Sequence, residues 1–414
     1  MREQPPQYYV GLDVGTSTVR CIVGSLDSAS EEPEIAVIGH GSAANMGMRK
    51  GLVAHLDDVA AAVHQAIEEA ERISGIRIEN ATVNVNGSHV SGLDSTGVIA
   101  ISAANREITV DDKLRAEDAA TIVQIPANRE IIQVFPKNYR VDGHESIKDP
   151  VGMRGVRLEV DTHIVTAATA NLRSLEAVME KVHIYPMHRT VSGLAAAEAV
   201  LSRQQKEAGS LVLDIGASTT NLAVIEDGEV QHVAVIPMGS INITNDLAIG
   251  LKVDLEIAEM VKLQHAALAG TGKNGRVSVV HESRNYVFDS EDVHMIVDAR
   301  VDEIFDYIDK ELKRIHRARK LPGGIVIVGG GANTPGIAAF AKEKLQLAAR
   351  VGKLKGVSGV LDDIQDPGYI TAIGLMQLDM LFANQSFGAG SDKRQARSSG
   401  LIDSLRGIWN KVQP

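Results

Sequence analysis

The chain has 414 residues, 44% of them hydrophobic and 23% charged, which fits a folded protein of two or three domains and excludes a disordered or membrane-embedded chain. Its formal net charge is −11, which argues against a general nucleic-acid binder, because affinity for a phosphate backbone requires clustered Lys and Arg. Cys21 is the single cysteine, so an intramolecular disulfide and a cysteine-based metal site are excluded and a reducing cytoplasm is expected.

The first predicted element is a hairpin, with strands over residues 8–12 and 19–23 and the turn 13–17 between them. The same pattern returns in the second half of the chain, where residues 212–220 repeat the Leu, Asp, Gly, Ser and Thr of residues 11–19 without a gap. We interpret this as an internal duplication at the scale of a domain, so that two similar lobes face each other across a cleft. A chance match of so short a segment is the alternative.

Both turns contain the residue types that bind anions. Glycine and small neighbours leave main-chain N–H groups free to contact phosphates. The candidate phosphate-binding residues are Gly15, Thr16, Ser17, Gly216, Ala217, Ser218 and Thr219. Asp13 and Asp214 end the two strands, where they could hold Mg²⁺ through water beside phosphate oxygens. The alternative is that both are plain hairpin turns.

The first lobe is predicted over residues 1–83 and 162–206. Apolar spacing of three and four predicts a helix over 55–74, ended by Gly75. An inserted subdomain is predicted at 84–161, because the alternation of elements breaks there. Its strands are expected at 98–101, 130–134 and 156–160 and its helix at 110–122, before a strand at 162–168 and a helix at 172–182 resume the first lobe.

The second lobe is predicted over residues 207–243 and 323–383, with its own insertion at 244–322. In the insertion we expect a helix at 254–269, strands at 276–280 and 285–288, and a long helix with Ser290 as its N-cap. A buried strand at 325–328 then enters the turn Gly329, Gly330, Gly331, and the last core helix is predicted at 370–382.

Two further sets of residues could contact a nucleoside. The glycines 329–331 would let the backbone pass close to a flat ligand such as adenine, or they form only a tight strand-to-helix turn. Glu259 and Lys262 could reach a ribose, or they form a solvated pair on one helix face. The G-x-G-x-x-G match at 270–275 follows a helix and precedes a strand, which is the reverse of a dinucleotide-binding context.

The end of the chain is predicted to be a flexible linker, 384–399, followed by an amphipathic helix, 400–414. Its apolar stripe consists of Leu401, Ile402, Leu405, Ile408, Trp409 and Val412. Five basic and two acidic residues give segment 391–414 a net charge of +3, which leaves −14 for the rest of the chain. This pattern favours a peripheral anchor on anionic lipid, because no apolar run is long enough to span a bilayer. The alternative is a terminal helix that docks on the protein.

The paired hairpins and the stretch GGIVIVGGGANTPGI resemble the superfamily of actin, DnaK-type chaperones and sugar kinases. The segments at 146–167, 236–266 and 366–378, together with the linker and tail, narrow the resemblance to the FtsA family of bacterial cell-division proteins, over essentially the whole chain. The resemblance implies an α/β fold: an actin-like, duplicated two-lobe architecture with a nucleotide cleft, two inserted subdomains and a C-terminal amphipathic helix.

The resemblance also implies function. Asp13 and residues 15–17 would form one phosphate loop for ATP and residues 214–219 the other, with Glu259, Lys262 and the glycines 329–331 against the nucleoside. The first insertion would make filament contacts, and the second would bind the C-terminal tail of FtsZ, with Arg300 at the contact. A protein of this kind anchors the FtsZ ring to the cytoplasmic face of the inner membrane, polymerises and recruits later divisome proteins.

Some positions depart from the family pattern. The family often has Lys where Thr18 stands, glycines where Ala217 and Ser218 stand, and Gly-Gly at 239–240, where this chain has Ser240. We therefore expect nucleotide binding and at most slow ATP hydrolysis, because no residue presents itself to orient the attacking water. The rival interpretations are a small-molecule kinase of the superfamily and a pilus-assembly ATPase of the PilM type.

Overall fold

The computed structural model describes residues 7–26, 35–268, 270–272, 275–359 and 364–388, with the side chains of 384–388 excepted. The strands up to residue 191 are β1 (Tyr8–Val14), β2 (Thr18–Leu26), β3 (Ile35–Ala44), β4 (Met48–Arg49), β5 (Leu52–Val53), β6 (Asn80–Val85), β7 (Ser91–Ala100), β8 (Arg129–Val141), β9 (His144–Ile147), β10 (Arg157–Ala168) and β11 (Tyr185–Val191). The helices up to residue 208 are α1 (Leu56–Ser74), α2 (Val110–Ala120), α3 (Thr169–Lys181), α4 (Ser192–Val200) and α5 (Arg203–Ala208).

The later strands are β12 (Ser210–Ile215), β13 (Thr220–Glu226), β14 (Glu229–Ile236), β15 (Arg276–His281), β16 (Arg284–Asp289), β17 (Gly324–Val328), β18 (Ala349–Val351) and β19 (Val357–Gly359). The later helices are α6 (Ser240–Leu251), α7 (Leu255–His265), α8 (Ser290–Arg314), α9 (Ile337–Leu345) and α10 (Ile370–Gly388), with 3-10 turns at Gly330–Asn333 and Pro367–Tyr369.

The two lobes repeat one sheet topology. Among the described residues, the first lobe has the strand order β11-β6-β1-β2-β3-β19 and the second has β18-β17-β12-β13-β14, read in the same direction. In each lobe the first three strands are antiparallel neighbours, and two parallel strands follow on the other side of the first. The duplicated, two-lobe α/β fold expected from the paired hairpins is thereby confirmed.

Helix α1 illustrates how local sequence produces an element of the first lobe. Its apolar residues recur every three or four positions and are buried, and Gly75 ends the helix in the left-handed conformation with φ 70°. The buried face packs against β3, where Gly41 allows close approach, because a Cβ there would lie 2.0 Å from the carbonyl oxygen of Ala66. The prediction of this helix is confirmed.

Two predicted element placements are wrong. The strands expected at 156–160 and 162–168 form one strand, β10, which lies in the four-stranded sheet β7-β10-β8-β9 and does not resume the first lobe. The helix predicted at 370–382 was expected in the second lobe, but α10 packs on β1 and α4 of the first lobe. Residues 357–359, within the same predicted range 323–383, form the unpredicted strand β19, which pairs with β3 of the first lobe. Membership of a lobe depends on which distant strand or helix is contacted, and that information is not local in the sequence.

Helix ends also differ from expectation. Asp289 caps α8 by accepting a hydrogen bond from the Glu291 amide, whereas Ser290, the predicted cap, is the buried first residue of the helix. Helix α10 continues to Gly388 and so enters the predicted linker. The remainder of that linker and the stripe from Leu401 to Val412, including Trp409, lie outside the described residues. Within the described part of the chain, no helix has the length and apolar character that crossing a membrane requires.

Candidate functional site

The two matched hairpins have the same turn geometry. In the first, the last paired residues of β1 and β2 are Val14 and Val19, and within the turn the Gly15 amide donates to the Thr18 carbonyl at 3.2 Å. In the second, the last paired residues of β12 and β13 are Ile215 and Thr220, and the Gly216 amide donates to the Thr219 carbonyl at 2.9 Å. The repeated sequence therefore produces a repeated backbone turn, one in each lobe.

The hairpins border a cavity of about 800 Å³ that both lobes line. Pockets for small molecules and cofactors commonly measure about 300–1,000 Å³, so the cavity suits a ligand of that size. The predicted site residues that line it are Asp13, Gly15, Thr16, Ser17, Asp214, Gly216, Ala217, Thr219, Glu259, Lys262, Gly329 and Gly330. Two other predicted site residues are not among the lining residues: Ser218 is buried, and Gly331 lies close to Ile215.

Asp13 and Asp214 are buried at the strand ends and repel each other. Burial and the charge of Asp214 raise the pKa of Asp13 to about 7, and burial raises the pKa of Asp214 to about 6. Asn84 orients Asp13 by donating to its Oδ1 at 2.6 Å, while Asn221 and Thr371 donate to Asp214 Oδ2 at 3.2 and 3.3 Å. Two buried carboxyl groups facing one cavity, both with raised pKa values, are groups that a bound cation would stabilise in the charged form.

These carboxylates suit a hard divalent cation bound partly through water. Among the described residues, no group of three or more His, Cys, Asp or Glu side chains could hold a metal ion by itself. Mg²⁺ typically uses one or two protein carboxylates and takes its other oxygen ligands from water and substrate phosphates. The donor set therefore fits Mg²⁺ accompanied by a polyphosphate, and does not fit a cage built from protein alone.

Arg20 is a cavity residue that the sequence interpretation missed. Its guanidinium lies 5.1 Å from the ring centroid of Tyr369, and its charge lowers the pKa of both Asp13 and Asp214. Its Nε is buried and has no hydrogen-bond partner in the described part of the chain. Arg20 follows Thr18 by two positions, so the alternation of β2 directs both side chains to the same face, and a cationic side chain lines the cavity although position 18 is not Lys.

Helix α6 supports the second hairpin through its first amides. The Ser240 amide donates to the Gly216 carbonyl at 2.9 Å, and the Ile241 amide donates to the Ala217 carbonyl at 2.7 Å. This approach requires glycine at position 239, because a Cβ there would lie 2.5 Å from the Gly216 oxygen. Ser240 lines the cavity without such a conflict, so the departure from a Gly-Gly pair is tolerated.

Glu259 and Lys262 are not a solvated surface pair. Lys262 Nζ donates to Glu259 Oε2 at 2.6 Å and to Thr244 Oγ1 at 2.9 Å, and the Thr244 hydroxyl donates to Glu259 Oε2. The Lys262 side chain is only 13% exposed, against 41% for Glu259. The carboxylate therefore stands at the cavity wall with its orientation fixed by two donors.

The glycines after β17 differ from one another in what they contact. Gly329 has φ 80°, and a Cβ there would lie 2.4 Å from Asp214 Oδ1, so glycine is required for the approach to the second hairpin. Gly330 borders the cavity, and a Cβ built on it meets nothing within 4 Å. Of the three, Gly330 is the residue that leaves open space for a flat ligand.

Asn86 lines the cavity and joins the two lobes, and sequence reasoning also missed it. Its Nδ2 donates to Thr219 Oγ1 at 3.1 Å, so a residue just after β6 contacts the turn of the second hairpin. Asn84 lies near the end of β6, which pairs in parallel with β1, and Asn86 directly follows that strand. Polar residues at the carboxyl end of that strand were the signal that could have identified them.

Arg300 lies outside the cavity, on α8. Its guanidinium bonds both carboxylate oxygens of Asp246 on α6, at 2.5 and 2.9 Å, and pairs with Glu303 on its own helix. The side chain is 22% exposed. It therefore ties α6 to α8 while keeping part of its surface open to solvent.

Three curated relatives resemble the chain along most of its length. Cell division protein FtsA of Bacillus subtilis is 36% identical over 90% of this chain and 83% of that protein. FtsA of Pseudomonas aeruginosa is 33% identical over 90% of this chain and 89% of that protein, and FtsA of Escherichia coli K12 is 29% identical over 89% of each.

Solved structures share the fold at low sequence identity. The PilM–PilN type IV pilus biogenesis complex aligns with TM-score 0.66 and 16% identity over 91% of this chain and 99% of that chain. MreB5 of Spiroplasma citri bound to ADP has TM-score 0.56 and 12% identity over 93% and 99%. A MamK double helical filament has TM-score 0.51 and 12% identity over 90% and 98%. These likenesses show an actin-like fold and nothing more specific.

Two family models also match. The model described as "SHS2 domain inserted in FTSA" matches residues 87–166, which contain β7 to β9 and most of β10, and the model "Cell division protein FtsA" matches residues 211–374. The first match identifies the four-stranded sheet as an inserted domain, and the second covers the second hairpin, α6 to α9 and the glycine turn. With relatives above 30% identity over nine-tenths of its length, the chain belongs to the FtsA family of cell-division proteins.

Proposed function

We propose that the chain is an ATP-binding, actin-like adaptor that anchors the FtsZ ring to the cytoplasmic face of the inner membrane. The observation that carries the nucleotide assignment is the cavity between two matched hairpins with two buried carboxylates facing it. The hairpins would bind the phosphates, Arg20 would contribute positive charge, and Glu259, Lys262 and Gly330 would contact the nucleoside. Asp13 and Asp214 would hold Mg²⁺, which neutralises phosphate charge when bound.

Gly330 provides a matched pair of variants for this proposal. Because a Cβ at this position meets only open space, Gly330→Ala should leave the fold and nucleotide affinity unchanged. Gly330→Tyr should place a ring in the cavity and weaken the binding of a fluorescent ATP analogue by at least about tenfold, a loss of about 1.4 kcal/mol. Melting of the nucleotide-free proteins serves as the folding control. Equal affinity of the two variants would place the nucleotide elsewhere.

We expect slow hydrolysis at most. Protein kinases turn over at about 1–100 s⁻¹ with a base that accepts a proton from the acceptor hydroxyl. Four acids line this cavity: Asp13 and Asp214, which are proposed to hold the metal, and Glu256 and Glu259 on α7, the helix proposed to contact the nucleoside. Phosphate release far below the kinase range, measured with and without candidate sugar or acetate acceptors, is the expected result. Rapid, acceptor-dependent turnover would support the small-molecule kinase.

We infer that the second insertion binds the C-terminal tail of FtsZ beside Arg300. The helices α6 and α8 expose Ile249 and Met295, apolar side chains that a peptide could cover. Arg300→Ala should weaken binding of a labelled FtsZ tail peptide by several-fold, while Arg284→Ala, on the neighbouring hairpin, serves as the control. Because Arg300 also ties α6 to α8, melting must be compared before the affinity is interpreted.

The membrane and assembly roles rest on the sequence of the tail and on the family. Removal of residues 399–414, or Trp409→Glu, should abolish co-sedimentation with anionic liposomes while the melting of the body stays unchanged. A polymer would present many weakly binding tails at once and so gain avidity for the membrane. Polymerisation is supported by MamK, which shares the fold and forms a double helical filament. The assembled protein would then recruit later divisome proteins. Pelleting that survives both changes would contradict the anchor.

A further inference from the structure

We propose that the inserted four-stranded domain is mechanically coupled to the cleft by two separate contacts, so that the state of the cleft is transmitted to the surface of the insertion. The proposal rests on the cleft being the nucleotide site proposed above. It assigns positioning roles to Asn86 at the root of the insertion and to His163 in its sheet.

The root of the insertion begins inside the cleft. Residues 86–90 connect β6 of the first lobe to β7 of the insertion. At one end, Asn86 donates to Thr219 Oγ1 of the second hairpin and accepts from the Gly87 amide at 2.7 Å. At the other end, Arg129 Nη2 on β8 donates to the His89 carbonyl at 2.9 Å. A movement of the second hairpin therefore acts directly on the segment that carries β7.

The second contact joins the insertion to the other lobe. His163 on β10 is 1% exposed, and its Nε2 accepts a hydrogen bond from the Val233 amide of β14 at 3.0 Å. Its Nδ1 lies 2.7 Å from Asp94 Oδ1 on β7. Because Nε2 accepts, Nδ1 must carry the proton and donate to the Asp94 carboxylate. One neutral imidazole thus links two strands of the insertion to a strand of the second lobe.

Two neighbouring features strengthen this contact. β7 approaches β14 so closely that a Cβ at Gly92 would lie 2.7 Å from the Val233 carbonyl oxygen. Lys148, which directly follows β9, donates from Nζ to Glu207 Oε2 at 3.0 Å and to the Asp227 carbonyl at 2.9 Å, both in the second lobe. The insertion, which the chain enters from the first lobe, is therefore fastened to the second lobe as well.

Strand β14 connects this contact back to the cleft. It leads through Gly239 into α6, whose Ser240 and Ile241 amides hold the carbonyls of the second hairpin. A shift of that hairpin on ligand binding would displace the start of α6 and, with it, the strand that carries Val233. The route through Asn86 and the route through β14 both start at the turn of the second hairpin and end on β7 and β10. Strand β7 exposes Val98, so a change there reaches the surface of the insertion.

The first arm of the test measures hydrogen–deuterium exchange of the full chain in the absence of nucleotide. His163→Leu removes the acceptor for the Val233 amide and keeps an apolar side chain of similar size in the buried site. Exchange in the peptide that spans Ser240 and Ile241 should rise about fivefold, the effect of losing one hydrogen bond. Lys181→Ala, which breaks an exposed ion pair between α3 and α1, should leave that peptide unchanged. A change confined to the insertion would overturn the coupling.

The second arm adds a non-hydrolysable ATP analogue with Mg²⁺. Wild type should show protection of both hairpins and altered exchange in β7 and β10. In the His163→Leu protein, the hairpins should still be protected and the analogue affinity should persist, but the exchange response of β7 and β10 should be lost. If His163→Leu does not fold, the milder variant Lys148→Ala is used, with the same expected result. Two results would refute the coupling. In the first, the wild-type hairpins are protected but exchange in β7 and β10 does not change; in the second, the change in β7 and β10 is undiminished in both variants. Absence of hairpin protection in wild type would refute the nucleotide site, and the first arm would then decide the coupling alone.

Discussion

At the scale of single residues, the cleft buries two carboxyl groups, Asp13 and Asp214, and burial, followed by the charge of Asp214, disfavours the charged form of Asp13. The folded state raises the pKa of Asp13 to about 7, whereas an unfolded aspartate titrates near 3.9. Between these values the folded protein binds more protons than the unfolded chain, so Asp13 makes the protein less stable as pH rises from about 4 to about 7. This cost of burying a charged carboxylate belongs to the proposed binding site, because a bound cation would offset it.

Asp13→Asn should therefore raise the melting temperature of the nucleotide-free protein at pH 8, because it removes a charge that is buried beside Asp214. For a chain of this length the expected rise is about 1 °C for each kcal/mol gained. The difference between variant and wild type should shrink as the pH falls toward 5, because the wild-type carboxyl then binds its own proton. Comparing the two proteins at each pH cancels the titration of all other groups. An Asp13→Asn protein that melts below wild type at pH 8 would contradict this account.

At the scale of elements, the start of α8 provides a test of which side chain caps the helix. Asp289 Oδ1 accepts from the Glu291 amide at 3.0 Å, whereas the buried Ser290 Oγ has no hydrogen-bond partner among the described residues. Loss of an N-cap costs about 0.5–2 kcal/mol, while removal of an unsatisfied buried hydroxyl costs little.

We expect Asp289→Ala to lower the melting temperature measurably and Ser290→Ala to leave it unchanged or raise it. Differential scanning calorimetry of the two variants beside wild type measures both effects. The opposite order would restore Ser290 as the cap, as its position in the sequence first indicated. The result bears on function, because α8 carries Arg300 and packs against α6, which supports the second hairpin.

At the scale of the whole molecule, charge is divided between a body of −14 and a terminal segment, 391–414, of +3. If this segment binds lipid, its cations attract anionic headgroups while the body is repelled by them. Raising salt from about 0.1 M to about 1 M shortens the screening length from about 10 Å to about 3 Å.

Liposome co-sedimentation at the two salt concentrations should show several-fold weaker binding to anionic vesicles in high salt. Binding to neutral vesicles should change little, because it depends on the apolar stripe alone. Substitution of Lys393, Arg394 and Arg397 by Gln should reproduce the effect of salt at low ionic strength. Salt-independent binding to anionic vesicles would assign the anchoring to apolar contacts only.

The amino-acid sequence by itself determined the features that depend on neighbouring residues. The duplicated hairpins, helix α1 with its Gly75 end, the long helix α8 and the family could all be read from spacing and motifs. Hairpin turns and amphipathic helices follow from interactions within about ten residues, so their signals are local. The candidate site residues 13–17 and 214–219 were accessible for the same reason.

Only the tertiary structure decided which distant residues meet. The charge of Arg20 acts on Asp13 and Asp214, Asn86 donates to Thr219, and His163 accepts from the Val233 amide. Most of these partners are far apart in the chain, so no local pattern in the sequence indicates the contacts. The continuity of β10 and the packing of α10 on the first lobe are likewise set by partners far away in sequence. Such contacts are selected by the summed packing of whole sheets and helices, which no short segment encodes.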